Sequence, residues 1–209
     1  PASPQPGPAP VWSAARALVR AADFQLFLLG IFTWVAAHSA YDLLISLHLR
    51  DLGASAGFVG AAWALGTLAE VLLMARCRSW IDRFGAPQLL VVGAAVAALR
   101  WALLAVVDSP WLLLWLQPLH AGSFALVFVA AVEHVRRRAD SSVLATAQGL
   151  LTAASGGGAA LAMFLWAPLY AASSGRVVFA GATLVALTSV AAFAFHLTPV
   201  ALPSAAAED

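Results

Sequence analysis

The chain has 209 residues, is 62% hydrophobic with a mean hydropathy of +0.88, and is only 10% charged. Soluble domains run at roughly 45–50% apolar and about 25% charged, so the composition argues against an ordinary soluble domain. A net charge of +1, with 11 Arg and no Lys against 10 acids, provides no basic face for nucleic acid; a lone Cys77 excludes disulfide frameworks and cysteine-built metal sites.

Residues 1–10, PASPQPGPAP, lack the basic and apolar regions of a secretory signal and read as a Pro-rich, solvated linker. Such an opening, without an initiator Met, predicts a piece of a longer protein. Residues 11–23 place Arg16 and Arg20 among Ala, Leu, Val and Trp12, the pattern of a short amphipathic helix at a membrane surface. Six apolar blocks follow within residues 24–198, at about 24–49, 58–76, 88–107, 111–133, 142–172 and 177–197, and residues 199–209 form a short tail. A bilayer-spanning helix needs roughly 20 mostly apolar residues, so each block is long enough to cross. The blocks exceed the roughly 10 residues of a membrane strand and do not alternate in and out. The fold expected is therefore all-α, a polytopic bundle of six transmembrane helices whose backbone groups pair within each helix.

Arginine placement gives the topology. Six spans put Arg16, Arg20, Arg76, Arg78, Arg83 and Arg136–Arg138 on one side, Arg50 and Arg176 on the other, and Arg100 inside the third span. Positive charge collects on the cytoplasmic side, which predicts cytoplasmic termini and a bacterial inner-membrane location. Trp12, Trp111 and Trp115 read as interfacial anchors, and Arg136–Arg138 as a topology signal or a contact for anionic lipid.

Ionisable side chains at membrane depth cost a few kcal/mol or more, and each needs a reason. At 1.5 Å per residue, Arg100 lies roughly 18 Å into the third span and His120 roughly 15 Å into the fourth. Glu70 sits within two turns of the end of the second span, and His38 and Asp42 share one face of the first. Gln117, with Tyr41, lies nearby, and Gln148 opens the fifth span. One reading is a polar cavity in which Glu70 and Arg100 pair while His120, His38 and Asp42 bind solute or titrate. The other is that Glu70 and Arg100 only neutralise each other to permit packing. Gly149, Ala153 and Gly157, at four-residue spacing, predict close helix packing or a hinge. His120 and His134 have the separation used for two haems, but His38 and His48 do not supply the matching pair. No cofactor, metal site or enzymatic motif is expected.

The stretch Arg78–Ser79–Trp80–Ile81–Asp82–Arg83–Phe84–Gly85 resembles the cytoplasmic signature between the second and third helices of each half of major facilitator superfamily transporters. Asp82, Arg83 and Gly85 match it; Arg78 replaces the first Gly, and Ala86–Pro87 replaces the trailing basic pair. Trp63 and Glu70, Arg100–Trp101, Gln117 with His120 and Phe124, and Gln148–Gly149 resemble the phenylpropionate-permease and nucleoside-symporter-like branch, related to the lactose-type proton symporters. The resemblance spans nearly all of residues 24–197 and implies the C-terminal six-helix half of such a carrier. It implies functional roles for Glu70, Arg100 and His120, and a gating role for Asp82 and Arg83. Ser123 stands where the lactose type carries a carboxylate, so Glu70 or Asp42 would have to take the proton.

The expectation is a secondary transporter, a proton symporter of a small organic solute working by alternating access between two six-helix halves. Its partners would be the solute, protons, membrane lipids and the N-terminal half. The alternatives are a half-size carrier that dimerises, or a non-transporting membrane scaffold or receptor.

Overall fold

The computed structural model describes residues 11–197; the linker at 1–10 and the tail at 199–209 lie outside the described residues. The elements are α1 (Val11–Arg20), α2 (Ala22–Asp51), α3 (Ala56–Phe84), α4 (Ala86–Val106), α5 (Pro110–Trp115), α6 (Leu119–Ser123), α7 (Ala125–Arg138), α8 (Leu144–Ala172) and α9 (Gly175–Leu197), with no strand among the described residues. Six stretches are long and apolar enough to cross a membrane: Ala22–Asp51, Ala56–Phe84, Ala86–Val106, Leu119–Arg138, Leu144–Ala172 and Gly175–Phe195. The fold is all-α, and the chain is a multi-pass membrane protein.

Local chemistry sets the helix ends. Ser55 caps α3 by accepting the Phe58 N–H at 3.2 Å, and Ser109 caps α5, where Pro110 occupies the first turn. The 78–85 signature is not a loop. It forms the last turns of α3, because Cys77 and Ile81 continue a buried face past the polar Arg76 and Arg78. Gly85 then ends the helix at φ +83°, a left-handed conformation that other residues adopt only at a cost.

The centre of the bundle is α2, α4 and α9, which pack most extensively; α8 lies on α2, and α3 leans on α6 and α7. Phe27, Tyr41, Leu49, Leu90, Trp101, Phe179 and Phe193 fill this centre with almost no exposure. Side-chain donors tie the helices to α2: Trp166 Nε1–H donates to the Ala36 carbonyl at 2.7 Å, and Ser189 Oγ donates to that of Gly30 at 3.0 Å. Outward faces carry Leu68, Val71 and Leu72 on α3 and Met163 and Phe164 on α8. Such large apolar faces are stable against lipid or another apolar surface, not against water.

Two expectations need correction. The Gly149–Ala153–Gly157 face does not make the close helix contact: Gly149 has open space around it, and Gly157 meets only the Phe32 ring. The close approach is at Gly158, where a Cβ would run into the Phe32 carbonyl oxygen of α2. One residue is about 100° around a helix, enough to move a stripe off the contact. The continuous span expected over 111–133 is also interrupted. Pro118 has no N–H and crowds the carbonyl four residues back, so the chain passes through tight i→i−3 bonds, Gln117 N–H to Leu114 and His120 N–H to Gln117. The second break, at Phe124, exposes the Ser123 carbonyl, which accepts the Trp34 indole N–H at 2.9 Å.

Gly158→Ala forces α2 and α8 apart and is expected to destabilise the bundle by about 1–3 kcal/mol, as overpacking does. Gly149→Ala should be neutral or slightly stabilising. Thermal unfolding of the two variants in detergent measures the difference; equal midpoints would contradict this packing.

Candidate functional site

The interruption between α5 and α7 turns Gln117, His120 and Ser123 toward α4, where Arg100 is completely buried. Its two terminal nitrogens meet acceptors, Nε has no hydrogen-bond partner among the described residues, and aromatic faces cover the group. Nη2 donates to Gln117 Oε1 at 3.0 Å, and Nη1 lies 3.1 Å from His120 Nδ1 and 3.5 Å from Ser123 Oγ. The Tyr41 and Trp101 rings lie 4.0 and 4.9 Å from the guanidinium carbon, and cation–π attraction is strongest where water is excluded. Tyr41 Oη donates to the same Gln117 oxygen at 2.8 Å, and Gln117 Nε2 is held by the Leu113 carbonyl at 2.9 Å.

Glu70 and Arg100 do not pair directly, contrary to expectation. His120 stands between them, with Nε2 3.5 Å from Glu70 Oε2 and Nδ1 against Arg100. An arginine can only donate, so Nδ1 is the acceptor and the proton resides on Nε2, the nitrogen on the Glu70 side. A neutral imidazole thus stands between the buried cation and its counter-charge, bonded to the cation and 3.5 Å from the carboxylate without a hydrogen bond to it. Glu70 retains 19% exposure, so the network opens on the α3 side.

A second histidine–carboxylate pair adjoins the first. The His38 ring is buried 5.2 Å from that of His120, within reach of Trp34, Tyr41, Trp101 and Phe124. Its Nε2 is 3.8 Å from Asp42 Oδ1, outside hydrogen-bond range, and neither ring nitrogen has a hydrogen-bond partner among the described residues. Asp42 is 53% exposed. Glu70, Arg100, His120, Gln117, His38 and Asp42 therefore form one cluster built from α2, α3, α4 and the broken helix.

Gln148 is not part of it. It lines a separate cleft of about 360 Å³ between α2, α7 and α8, with Trp34, Phe128, Thr152 and Ser155. Trp34 faces both sites, since its ring also lies against His38.

At the end of α3, Asp82 accepts from Arg78 at 3.0 Å and reaches Arg137 of α7 at 3.4 Å. Arg83 lies over the Phe84 ring, 5.2 Å from its centroid, and Gly85 closes the helix. The arginine run, read from sequence as a topology or lipid signal, is engaged in ion pairs. Glu133 binds Arg136 at 2.7 Å and Arg137 at 2.5 Å, and Arg138 binds Asp23 of α2 at 2.8 Å. Sequence reasoning missed Glu133 and Asp23; the three- and four-residue spacing of Glu133 from Arg136 and Arg137 was the available signal. At the opposite end, Arg176 pairs with Asp108 and Tyr170 donates to Asp51.

Secondary transporters build their binding sites from polar groups at interrupted membrane helices. The comparisons make the class specific: the profile of the MFS_1 like family matches residues 11–181, and the chain belongs to that family. It is 32% identical over 194 residues to the probable 3-phenylpropionic acid transporter of Escherichia coli, covering 92% of this chain and 49% of that protein. It is 27% identical over 142 residues to the maltose permease of Geobacillus stearothermophilus, covering 68% of this chain and 36% of that one. The crystal structure of the nucleoside transporter NupG (D323A mutant) superposes with a TM-score of 0.72 over 90% of this chain and 51% of NupG, at 14% identity, a likeness of fold alone. The chain spans about half the length of these relatives, or less. They are transporters, not enzymes.

Gln117→Leu removes the oxygen that both Arg100 and Tyr41 use. Hydrogen bonds to charged groups contribute about 1.5–3 kcal/mol, so a loss on the order of 3 kcal/mol is expected in thermal unfolding, against under about 1 kcal/mol for Ser123→Ala. Equal losses would show that Gln117 is not the main acceptor of the guanidinium.

Proposed function

We propose that this chain forms the C-terminal six-helix half of a proton-coupled carrier for a small organic solute in a bacterial inner membrane, with both ends cytoplasmic. The observation that carries the reading is the Arg100–His120–Glu70 chain: a fully buried cation joined through one imidazole to a carboxylate at the edge of the bundle. Replacing a buried ion network with apolar residues is often neutral or stabilising, so its presence favours a role beyond packing. The family supports transport, and the segregation of arginines supports the orientation.

The coupling follows from charge balance. With Glu70 ionised, the network is compensated. A proton on Glu70 removes the negative charge beside His120, and Arg100 keeps its neutral hydrogen-bond acceptors and the half-exposed Asp42 as the remaining carboxylate of the cluster. A solute that offers an acceptor or a negative group to this cluster restores the balance, so proton and solute are favoured together. Asp42, beside His38, is a second protonatable position at the wet edge. The solute would sit between this bundle and an N-terminal six-helix partner, with the two halves rocking around it. Asp82, Arg137 and Glu133 would hold the ends of α3 and α7 together in one of the two states. 3-Phenylpropionate is the first solute to try, given the relative of that name.

In the full-length transporter, Glu70→Gln is expected to abolish concentrative uptake of labelled 3-phenylpropionate driven by a pH gradient, while membrane insertion stays intact. Exchange of solute at equal pH should persist, because the neutral variant mimics the protonated state. Undiminished gradient-driven uptake by Glu70→Gln would rule out its role.

A further inference from the structure

On the face of the bundle that carries α1, the described residues contain eight arginines and four acids. Three of the acids are occupied in ion pairs: Asp23 with Arg138, Asp82 with Arg78 and Arg137, and Glu133 with Arg136 and Arg137. Arg16, Arg20, Arg76 and Arg83 make no ion pair among the described residues. Two of these four lie together. Arg16 and Arg20, one turn apart on α1, line an open groove of about 840 Å³ with Trp12, Val19 and Thr146, the last from the first turn of α8. The groove has no carboxylate in its lining, and neither α1 nor the first turn of α8 supplies one.

The remaining chemistry of α1 says what kind of ligand fits. Leu18 is buried and holds the helix to the bundle, while Trp12 is 86% exposed and Val19 also faces outward. A surface that sets an indole and an aliphatic side chain beside two unpaired guanidiniums suits a ligand that is anionic at one end and apolar at the other. Water hydrogen-bonds the indole N–H but leaves the apolar ring surface without a partner, and a free inorganic anion offers nothing to that surface. Guanidinium groups bind phosphate oxygens in a forked, two-bond geometry.

We infer that this groove between α1 and α8 is a binding site for the headgroup of an anionic phospholipid, with Arg16 and Arg20 on the phosphate and Trp12 at the acyl boundary. A zwitterionic lipid carries the same phosphate, but its own cation competes with the arginines. The inference needs only that the bundle sits in a bilayer; it does not depend on transport or on any solute.

Native mass spectrometry of the purified full-length transporter tests it, with dioleoylphosphatidylglycerol or dioleoylphosphatidylcholine added to the detergent. Retention of the phosphatidylglycerol should fall about 30-fold in Arg16→Gln/Arg20→Gln, from roughly 1 kcal/mol for each arginine near an anionic headgroup. Arg16→Lys/Arg20→Lys should keep most of it, and Arg50→Gln, on the opposite face, should change nothing. Equal retention of both lipids, equal retention by the glutamine double variant, or displacement of the lipid by millimolar inorganic phosphate would overturn the assignment.

Discussion

The arrangement of this bundle turns on one constraint, the need to compensate a guanidinium that has no access to water. Arg100 is surrounded by a glutamine, a histidine, a serine hydroxyl and two aromatic faces; the rings come from regular turns of α2 and α4, and the three polar groups from the interrupted stretch between α5 and α7. Gln117 and His120 flank Pro118, whose missing N–H breaks the helix just before the apolar stretch Leu119–Arg138. Irregular backbone in a membrane is tolerated only when it is covered by protein or lines a cavity. Here the freed groups are covered: the Ser123 carbonyl by Trp34, the Gln117 carbonyl by the His120 N–H. The break and the buried charge therefore explain each other.

The rest of the bundle holds this centre while leaving one side unfinished. α2, α4 and α9 are closely packed, with Gly30 of α2 against the Phe193 ring of α9, and α8 approaches the α2 backbone at Gly158. α3 and α8 bury little, and the two carboxylates of the cluster, Glu70 and Asp42, retain exposure. Ion pairs at both ends, from Asp82–Arg137 to Arg176–Asp108, add to the apolar contacts and buried hydrogen bonds that join the helices between them. In the transporter reading, a second bundle completes the unfinished side and the solute lies between the two.

Much of this was legible in the sequence, for a physical reason. Lipid requires long apolar helices, so six blocks imply six spans. It also penalises charge, so Glu70, Arg100 and His120 stand out with no structure in hand. Their order in the cluster was not legible. Arg100 and Glu70 suggest direct pairing by charge alone, and only the turn at Pro118 places the imidazole between them. Gln148 resembled a member of the cluster by type, but α8 directs it into a neighbouring cleft. The Arg138–Asp23 pair spans 115 residues, beyond any local pattern, whereas the Glu133 contacts lie within one helical turn and were readable.

The central claim is that a neutral His120 relays the charge of Arg100 to Glu70. Nitrogen-15 NMR of histidine-labelled full-length protein in nanodiscs, with the His120 signals assigned by loss in His120→Gln, measures it directly. The account predicts an Nε2–H tautomer near neutral pH, with Nδ1 unprotonated and shifted as an acceptor, and loss of that acceptor shift in Arg100→Met. A proton on Nδ1, or an imidazolium at that pH, would mean that Arg100 does not donate to this ring and that the proposed link does not exist.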